Sequence, residues 1–360
     1  MRHALTRTPA PTTPHRGAAH RALFSTILGA TLLGAPALAQ DGDASQRPGF
    51  DVRIDPFTGE EARESLLPPP PPQQDGQDYT VSGMFTRTHG EYLQEAFGYR
   101  PSIRAYYGRQ AAAELTGEGG DFDFDEYRIE SELWAPVDPD SFLILGGNFG
   151  ARDYQFDGIP TLNDETLFEA SAKVGYGRFL DEDLLITATF EPGLYTDFDG
   201  TMKSEDWQFL GRATATWRAA ERIYLKGGLV VDRTFKNTPL YPTIGANWVF
   251  ADNWRLDVMV PQHFVLQYTP SAEWVFTGGL LLQGDQYEMG NAGFKSRAVH
   301  AQEFRLFLDG VFRVNDNLGL RGRFGGTIAG HYDIDTPGGS DFDGTIEPAV
   351  FFELGVDWSF

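Results

Sequence analysis

The last ten residues, 351–360, read "FFELGVDWSF". Phe352, Leu354, Val356, Trp358 and Phe360 alternate with Phe351, Glu353, Gly355, Asp357 and Ser359. Successive side chains of a strand point to opposite faces, so this is a strand with one apolar face that runs to the terminal carboxylate. Chain ends in aqueous domains usually fray. A terminal strand of this kind suits a β-barrel whose wall the last strand must close. On that reading Phe352, Leu354, Val356, Trp358 and Phe360 form the C-terminal signal recognised by a barrel-assembly machinery.

Bulk properties narrow the field. The chain has 360 residues, no Cys and a formal net charge of −22. Disulfides and zinc–thiolate sites are excluded. So acidic a chain repels nucleic acid and anionic headgroups and suits cations. Residues 1–39 carry Arg2, Arg7, Arg16 and Arg21, then the apolar run "ALFSTILGATLLGA" and the small residues of "APALAQ". These are the three regions of a secretory signal, with cleavage expected after Ala39. The apolar run is too short for a spanning helix, and no later stretch approaches ~18 uninterrupted apolar residues. Any membrane insertion must therefore use strands. Residues 40–78 read as a polar tail with "LLPPPPPQQDGQD" at its end, whose five prolines, Pro68 to Pro72, make a stiff polyproline II rod. The barrel is expected over 79–360.

Within that region alternating runs are joined by two kinds of connection. Very short polar ones occur at 137–141, 180–183, 219–222, 251–253, 270–273 and 315–317. Longer Gly/Asp-rich ones occur at 154–165, 196–206, 234–240, 288–298 and 333–344. The two kinds alternate, as do the tight periplasmic turns and longer external loops of an outer-membrane barrel. Trp134, Trp217, Trp248, Trp254, Trp274 and Trp358 all lie beside the short turns or the C-terminus. They are expected to form a periplasmic aromatic girdle at the headgroup level. Large aromatics capping strand ends in a soluble β-protein are the bland alternative.

Individual strands carry the same message. In 302–314 an apolar set (Phe304, Leu306, Leu308, Phe312) alternates with Glu303, Arg305, Asp309 and Arg313. In 318–332 the apolar set runs through Leu318, Leu320, Phe324, Ile328 and Tyr332, opposite Arg321, Arg323 and His331. In an aqueous sandwich the apolar face would point to a core, whereas in a membrane barrel it faces lipid. Thirteen strands can be counted from residue 125, and an even number requires one more from 79–88 or 101–110. The fold class predicted is all-β, an antiparallel transmembrane barrel of about 14 strands. It falls to 12 if the hairpin at 254–269 does not span.

The segment 191–288 resembles a family of bacterial outer-membrane β-barrels known only as a domain of unknown function. The likeness lies in "GLYTDF" at 193–198, the Pro242, Gly245 and Trp248 spacing, "NWRLDVMVP" at 253–261 and "YTPSAEW" at 268–274. It extends diffusely over 121–360 and carries no catalytic signature. It implies an outer-membrane barrel and leaves the activity open.

Candidate chemistry lies on the inward face near the C-terminus. Glu303, Arg305, Asp309, Arg313, Arg321, Arg323, Glu347, Glu353 and Asp357 would interleave across strands ~4.5–5.5 Å apart. They could form a charged eyelet in a pore. They could equally be a plug of mutually satisfied ion pairs. "DFDG" at 197–200 and 341–344 and "QFDG" at 155–158 suggest divalent cations bridging to lipopolysaccharide, or simply solvated turns. No cofactor is implied. Three functions follow: a porin-like diffusion channel for small hydrophilic solutes or cations; a non-conducting structural or surface-binding barrel closed by ion pairs or by the N-terminal segment; and a barrel-embedded hydrolase. The last would need His300 or His331 beside a Ser at the outer rim, and no such motif is present. The partners expected are outer-membrane lipid, lipopolysaccharide and the assembly machinery.

Overall fold

The computed structural model describes residues 87–97, 101–116, 120–158, 164–198, 201–289, 298–335 and 342–359. The signal at 1–39, the tail at 40–78, the segment 79–86 and Phe360 lie outside the described residues. One helix, α1 (Arg87–Phe97), precedes fifteen strands: β1 (Ser102–Leu115), β2 (Gly120–Asp138), β3 (Ser141–Asp157), β4 (Glu165–Phe179), β5 (Leu184–Thr196), β6 (Trp207–Ala220), β7 (Ile223–Val231), β8 (Leu240–Ala251), β9 (Trp254–Val260), β10 (His263–Tyr268), β11 (Trp274–Glu288), β12 (Ala298–Arg313), β13 (Leu318–Asp335), β14 (Phe342–Ile346) and β15 (Ala349–Ser359).

β14 and β15 both pair with β13 and with β1, and only Glu347 and Pro348 separate them. They are two parts of one wall strand, interrupted where proline cannot donate to the ladder. Fourteen strands therefore make the wall, and 101–110 supplies the first. Neighbours along the chain pair antiparallel throughout. The ring closes where Ser102–Gln110 of β1 run against Ser359–Phe351 of β15. Closure leaves no open edge, which is the condition for strands to cross hydrocarbon. Outside, Leu306, Leu308, Phe324, Val350 and Leu354 stand exposed, while their alternates Phe307, Asp309, Thr327, Phe351 and Glu353 are buried. A sheet that exposes its apolar face and buries its ionic face is built to meet lipid.

One expected face assignment is reversed. In the β12–β13 ladder Phe304 pairs with Ala329 and Arg305 with Thr327, so Ile328 is an extra residue. Such a bulge shifts parity along everything beyond it. Tyr332, expected outside, points inward and is fully buried, while His331, expected inside, lies on the outer wall.

The wall is also uneven. Most strands are long, but β9 and β10 have 7 and 6 residues, fewer than the ~9–11 that cross a bilayer. The hairpin still pairs in register with β8 and β11, so it belongs to the wall. Its turn is tied down from inside: Gln262 donates to the Tyr241 hydroxyl (3.2 Å) and accepts from Arg212 (3.0 Å). Above it the β7–β8 connection, 232–239, reaches across to the outer face of β11–β13. There His300 Nε2 bonds Arg233 O (2.9 Å), Gln302 donates to Thr234 O (2.8 Å), and Lys236 bonds Asp333 (2.5 Å) and Asp335 (3.2 Å). Burial pulls the Lys236 ammonium down, but these two carboxylates more than offset it and raise its pKa above the usual value. Its charge therefore holds the strap at neutral pH and is lost only as pH rises through that raised value. The strap lies so close to β11 that a Cβ at Gly284 would sit 2.6 Å from Thr234 Cα. Beside it, β11 touches β5 through a single parallel bridge, Glu288 to Thr196, and Gln208 donates to Gln286 O (2.5 Å).

Gly284→Leu is expected to push the strap off β11 while the barrel stays closed. Limited trypsin digestion should then cut after Arg233 or Lys236 in protein that keeps its heat-modifiable gel mobility. Protection equal to the native chain would contradict this packing.

Candidate functional site

The inside of the barrel is organised in layers along its axis. The short-turn end is filled by α1. His89, Tyr92, Leu93 and Ala96 recur at i, i+3, i+4 and i+7, the stripe of an amphipathic helix, and all four are buried. They pack among the inward Trp134, Phe142, Ile144, Phe179, Leu185 and Tyr224. His89 stacks on Phe179 at 3.9 Å, and Phe97 meets the edge of Trp134 at 5.4 Å. Polar ties fix the helix: Tyr92 OH donates to Thr216 O (2.6 Å), Tyr224 OH to Glu95 (2.5 Å), and Arg255 to Gln94 O (2.7 Å). The sequence suggested a helical turn at "EYLQEAF", and the structure puts it inside the wall.

The middle is a belt of paired charges. Arg152, only 2% exposed, bonds Glu126 (3.2 Å) and reaches Asp285 of the non-adjacent β11 (2.8 Å). Arg128 joins Glu126 (2.9 Å) to Glu169 (2.6 Å). Arg305 pairs with Glu303 (2.6 Å), which also accepts from Tyr332 OH (2.8 Å). Arg321 and Arg323 converge on Asp309, and Arg323 reaches Glu353 at 3.1 Å. Towards the long-loop end the inward residues turn apolar again. Phe122, Phe124, Tyr154, Leu167, Tyr287, Tyr332 and Ile334 form one buried cluster.

Of the residues singled out in the sequence, Glu303, Arg305, Asp309, Arg321, Arg323 and Glu353 meet in this belt. Asp357 stands apart and faces Arg104 at 3.7 Å. Arg313 lies at a short turn and donates to Ala272 O (3.0 Å), and Glu347 is exposed where β14 gives way to β15. Sequence reasoning missed Glu126, Arg128, Arg152, Glu169 and Asp285. In β2 both faces carry charge, with Asp121, Asp123 and Asp125 alternating with Glu126, Arg128 and Glu130 after a one-residue change of step. The polar parity that marks a lumen face is blurred there.

Among the girdle tryptophans, Trp217, Trp248, Trp274 and Trp358 are exposed outward, and Trp254 stacks on Tyr268 at 4.5 Å. Trp134 differs from expectation. It is 7% exposed, stacks on inward Phe142 at 4.9 Å and donates to Glu132 (2.9 Å). At the C-terminus Phe352, Leu354 and Trp358 are exposed on the outer face, with Val356 half-buried. His331 lies 3.2 Å from Asp343, and its cross-strand neighbours are Gln302 and Thr345, with no serine among them. Among the described residues no group of three or more His, Asp or Glu is arranged to hold a metal ion.

Between α1 and the charge belt is a cavity of about 440 Å³, walled by residues of α1 and of β1–β5.

A family model described as "Domain of unknown function (DUF6268)" matches residues 155–356. That is more than half of the chain, and the protein belongs to this family. No curated protein matches it. Solved structures similar to it include a FadL homologue from Pseudomonas aeruginosa, 10% identical with a TM-score of 0.45, the match covering 72% of this chain and 90% of that one. Another is an outer membrane channel from Pseudomonas putida F1, 9% identical with a TM-score of 0.42, covering 72% of this chain and 96% of that one. The barrel itself is established by the closed ladder of its own strands.

The belt gives a direct expectation. Arg152→Met leaves Glu126 and Asp285 facing a desolvated lumen without their shared cation. Breaking a buried pair from one side costs about 3–5 kcal/mol. Urea unfolding of the refolded barrel, followed by its heat-modifiable band, should show a loss of that size. A variant as stable as the native chain would mean that the Arg152 bridges contribute nothing.

Proposed function

We propose that this protein is an outer-membrane barrel closed at rest, a structural or surface-binding barrel and not an open diffusion pore. The short turns would then face the periplasm and the longer loops the exterior. The observation that carries this reading is the Arg152 bridge from Glu126 to Asp285, which ties β3 to a strand far round the ring through the middle of the lumen. A freely conducting eyelet holds its charges in water on opposite walls. These are joined to each other, with an aromatic cluster beyond them and α1 seated below. The exposed apolar outer wall and the outward tryptophans near the short turns support insertion in lipid.

A second reading is supported by one observation. α1 is held to the wall by aromatic packing and a few hydrogen bonds and is no part of its strand ladder, and the cavity behind it is rich in carboxylates. Withdrawal of α1 would enlarge the lumen and turn the barrel into a channel for small hydrophilic solutes or cations.

Planar-bilayer recordings separate the two. The purified native chain should give no current steps at moderate voltage. Leu93→Asp, which places a charge in the apolar seat of α1, should also stay silent if the belt alone seals the lumen. Cation-selective steps from that variant only would establish the gated channel. Steps from the native chain would overturn the closed reading.

A further inference from the structure

We infer that the cavity between α1 and the charge belt is a binding site for small organic cations, with short aliphatic diamines as the best-fitting class. The argument begins with its charges. Three carboxylates, Glu130, Glu132 and Glu191, border the space together with a single ammonium, Lys173. Lys173 lies 3.2 Å from Glu132 and 3.7 Å from Glu191, so one ammonium is shared between two carboxylates, and the Ser171 hydroxyl donates to Glu191 at 2.5 Å. Arg104 also borders the cavity, but its guanidinium is matched by Asp357 at 3.7 Å. Glu130 has Arg128 no nearer than 3.8 Å, and that arginine is held by Glu126 and Glu169 at 2.9 and 2.6 Å. Three carboxylates are thus served by one shared ammonium and by a guanidinium that two other acids hold more closely, with only the Tyr106 hydroxyl (3.4 Å) added at Glu130, so negative charge remains in excess in a confined, partly desolvated space. In such surroundings their interaction with an added positive charge is stronger than in water.

The remaining walls specify the rest of the ligand. Phe97 and Trp134 present aromatic surface to the cavity. Aromatic faces receive methylenes and ammonium groups alike, and Phe97 already carries the Lys226 ammonium 5.2 Å from its ring centre. A chain of a few methylenes with an amine at each end would lay its carbons on Phe97 and Trp134 and offer N–H donors to Glu130 and Glu191. Anions are excluded by the carboxylates. A bare metal ion would leave the aromatic walls unused, and the described residues hold no metal-type cluster. The volume of about 440 Å³ admits such a diamine with a few waters.

Equilibrium titration of the full detergent-solubilised chain with 1,4-diaminobutane tests this, with 1,4-butanediol and succinate as shape-matched neutral and anionic probes. Saturable binding of the diamine alone is expected, weakening as salt rises. Glu130→Gln and Glu191→Gln should each weaken it by about tenfold, the order of one charge-assisted hydrogen bond. Lys173→Gln should tighten it, because Glu132 is then released. Glu130 is partly exposed, so its variant is not expected to unfold, and heat-modifiable mobility verifies this for each. Equal binding of the diol, no binding of the diamine, or indifference to all three substitutions would overturn the assignment. The titration does not depend on conduction: diamine binding by a barrel that also conducts would sink the closed-lumen reading alone.

Discussion

Backbone N–H and C=O groups in hydrocarbon have no water to bond, and each must find a partner within the protein. The structure follows from this constraint. It explains why the last strand cannot fray: β15 is bonded to β13 on one side and to β1 on the other, so loosening it opens the ring. It also explains why the low hairpin β9–β10 is not left bare. A two-residue turn at membrane depth exposes polar backbone, and here Gln262 O accepts from Leu282 N (2.8 Å) while its side chain is held by Tyr241 and Arg212. The strap closes the gap above with backbone carbonyls bonded to His300 and Gln302. Irregular chain is tolerated at that level because it is covered by protein.

Turning the apolar face outward creates a problem inside. Fourteen strands enclose more volume than eight, and side chains fill small barrels completely. Here the filling differs by level. At the short-turn end a helix brings extra side chains and makes an aromatic seat possible. At the long-loop end β5 and β11 touch across the five strands β6 to β10, which narrows the ring enough for tyrosines and phenylalanines to meet. Between them long arginines bridge the remaining span: Arg128, Arg152 and Arg323 are each closed on two carboxylates, Arg305 on Glu303 and the Gln110 amide, and Arg321 on Asp309. Buried charges are tolerated only with such partners.

How much of this is legible in the sequence depends on whether the signal is local. Alternation and turn length are local, and they led to the antiparallel barrel, the fourteen strands and most turn positions. The face of a strand is local only until a bulge intervenes. Nothing in "GGTIAGHY" at 325–332 marks Ile328 as the extra residue, because its effect depends on pairing with β12. Trp134 misled for a related reason. A tryptophan beside a short turn suits a lipid interface and a lumen plug equally, and the choice is made by α1, a distant segment whose Phe97 meets it. The charge belt was half legible. Over the belt, at 303–313, 319–325 and 351–357, β12, β13 and β15 keep their charges to one face, whereas β2 is charged on both, since its outer face carries the Arg109 pairs with Asp123 and Asp125.

The cavity follows from the same geometry. Two layers of different chemistry are set at different heights, one made of aromatic rings and the other of ion pairs. Where they meet, neither is complete. The ion pairs end with acids left over, because the chain carries far more Asp and Glu than Lys and Arg. The aromatic seat ends with Phe97 and Trp134 bordering the cavity. A surface that is both anionic and aromatic is poorly satisfied by water, by simple salts or by neutral solutes. An organic cation satisfies both parts together, and the helix inside the barrel also supplies one wall of the site.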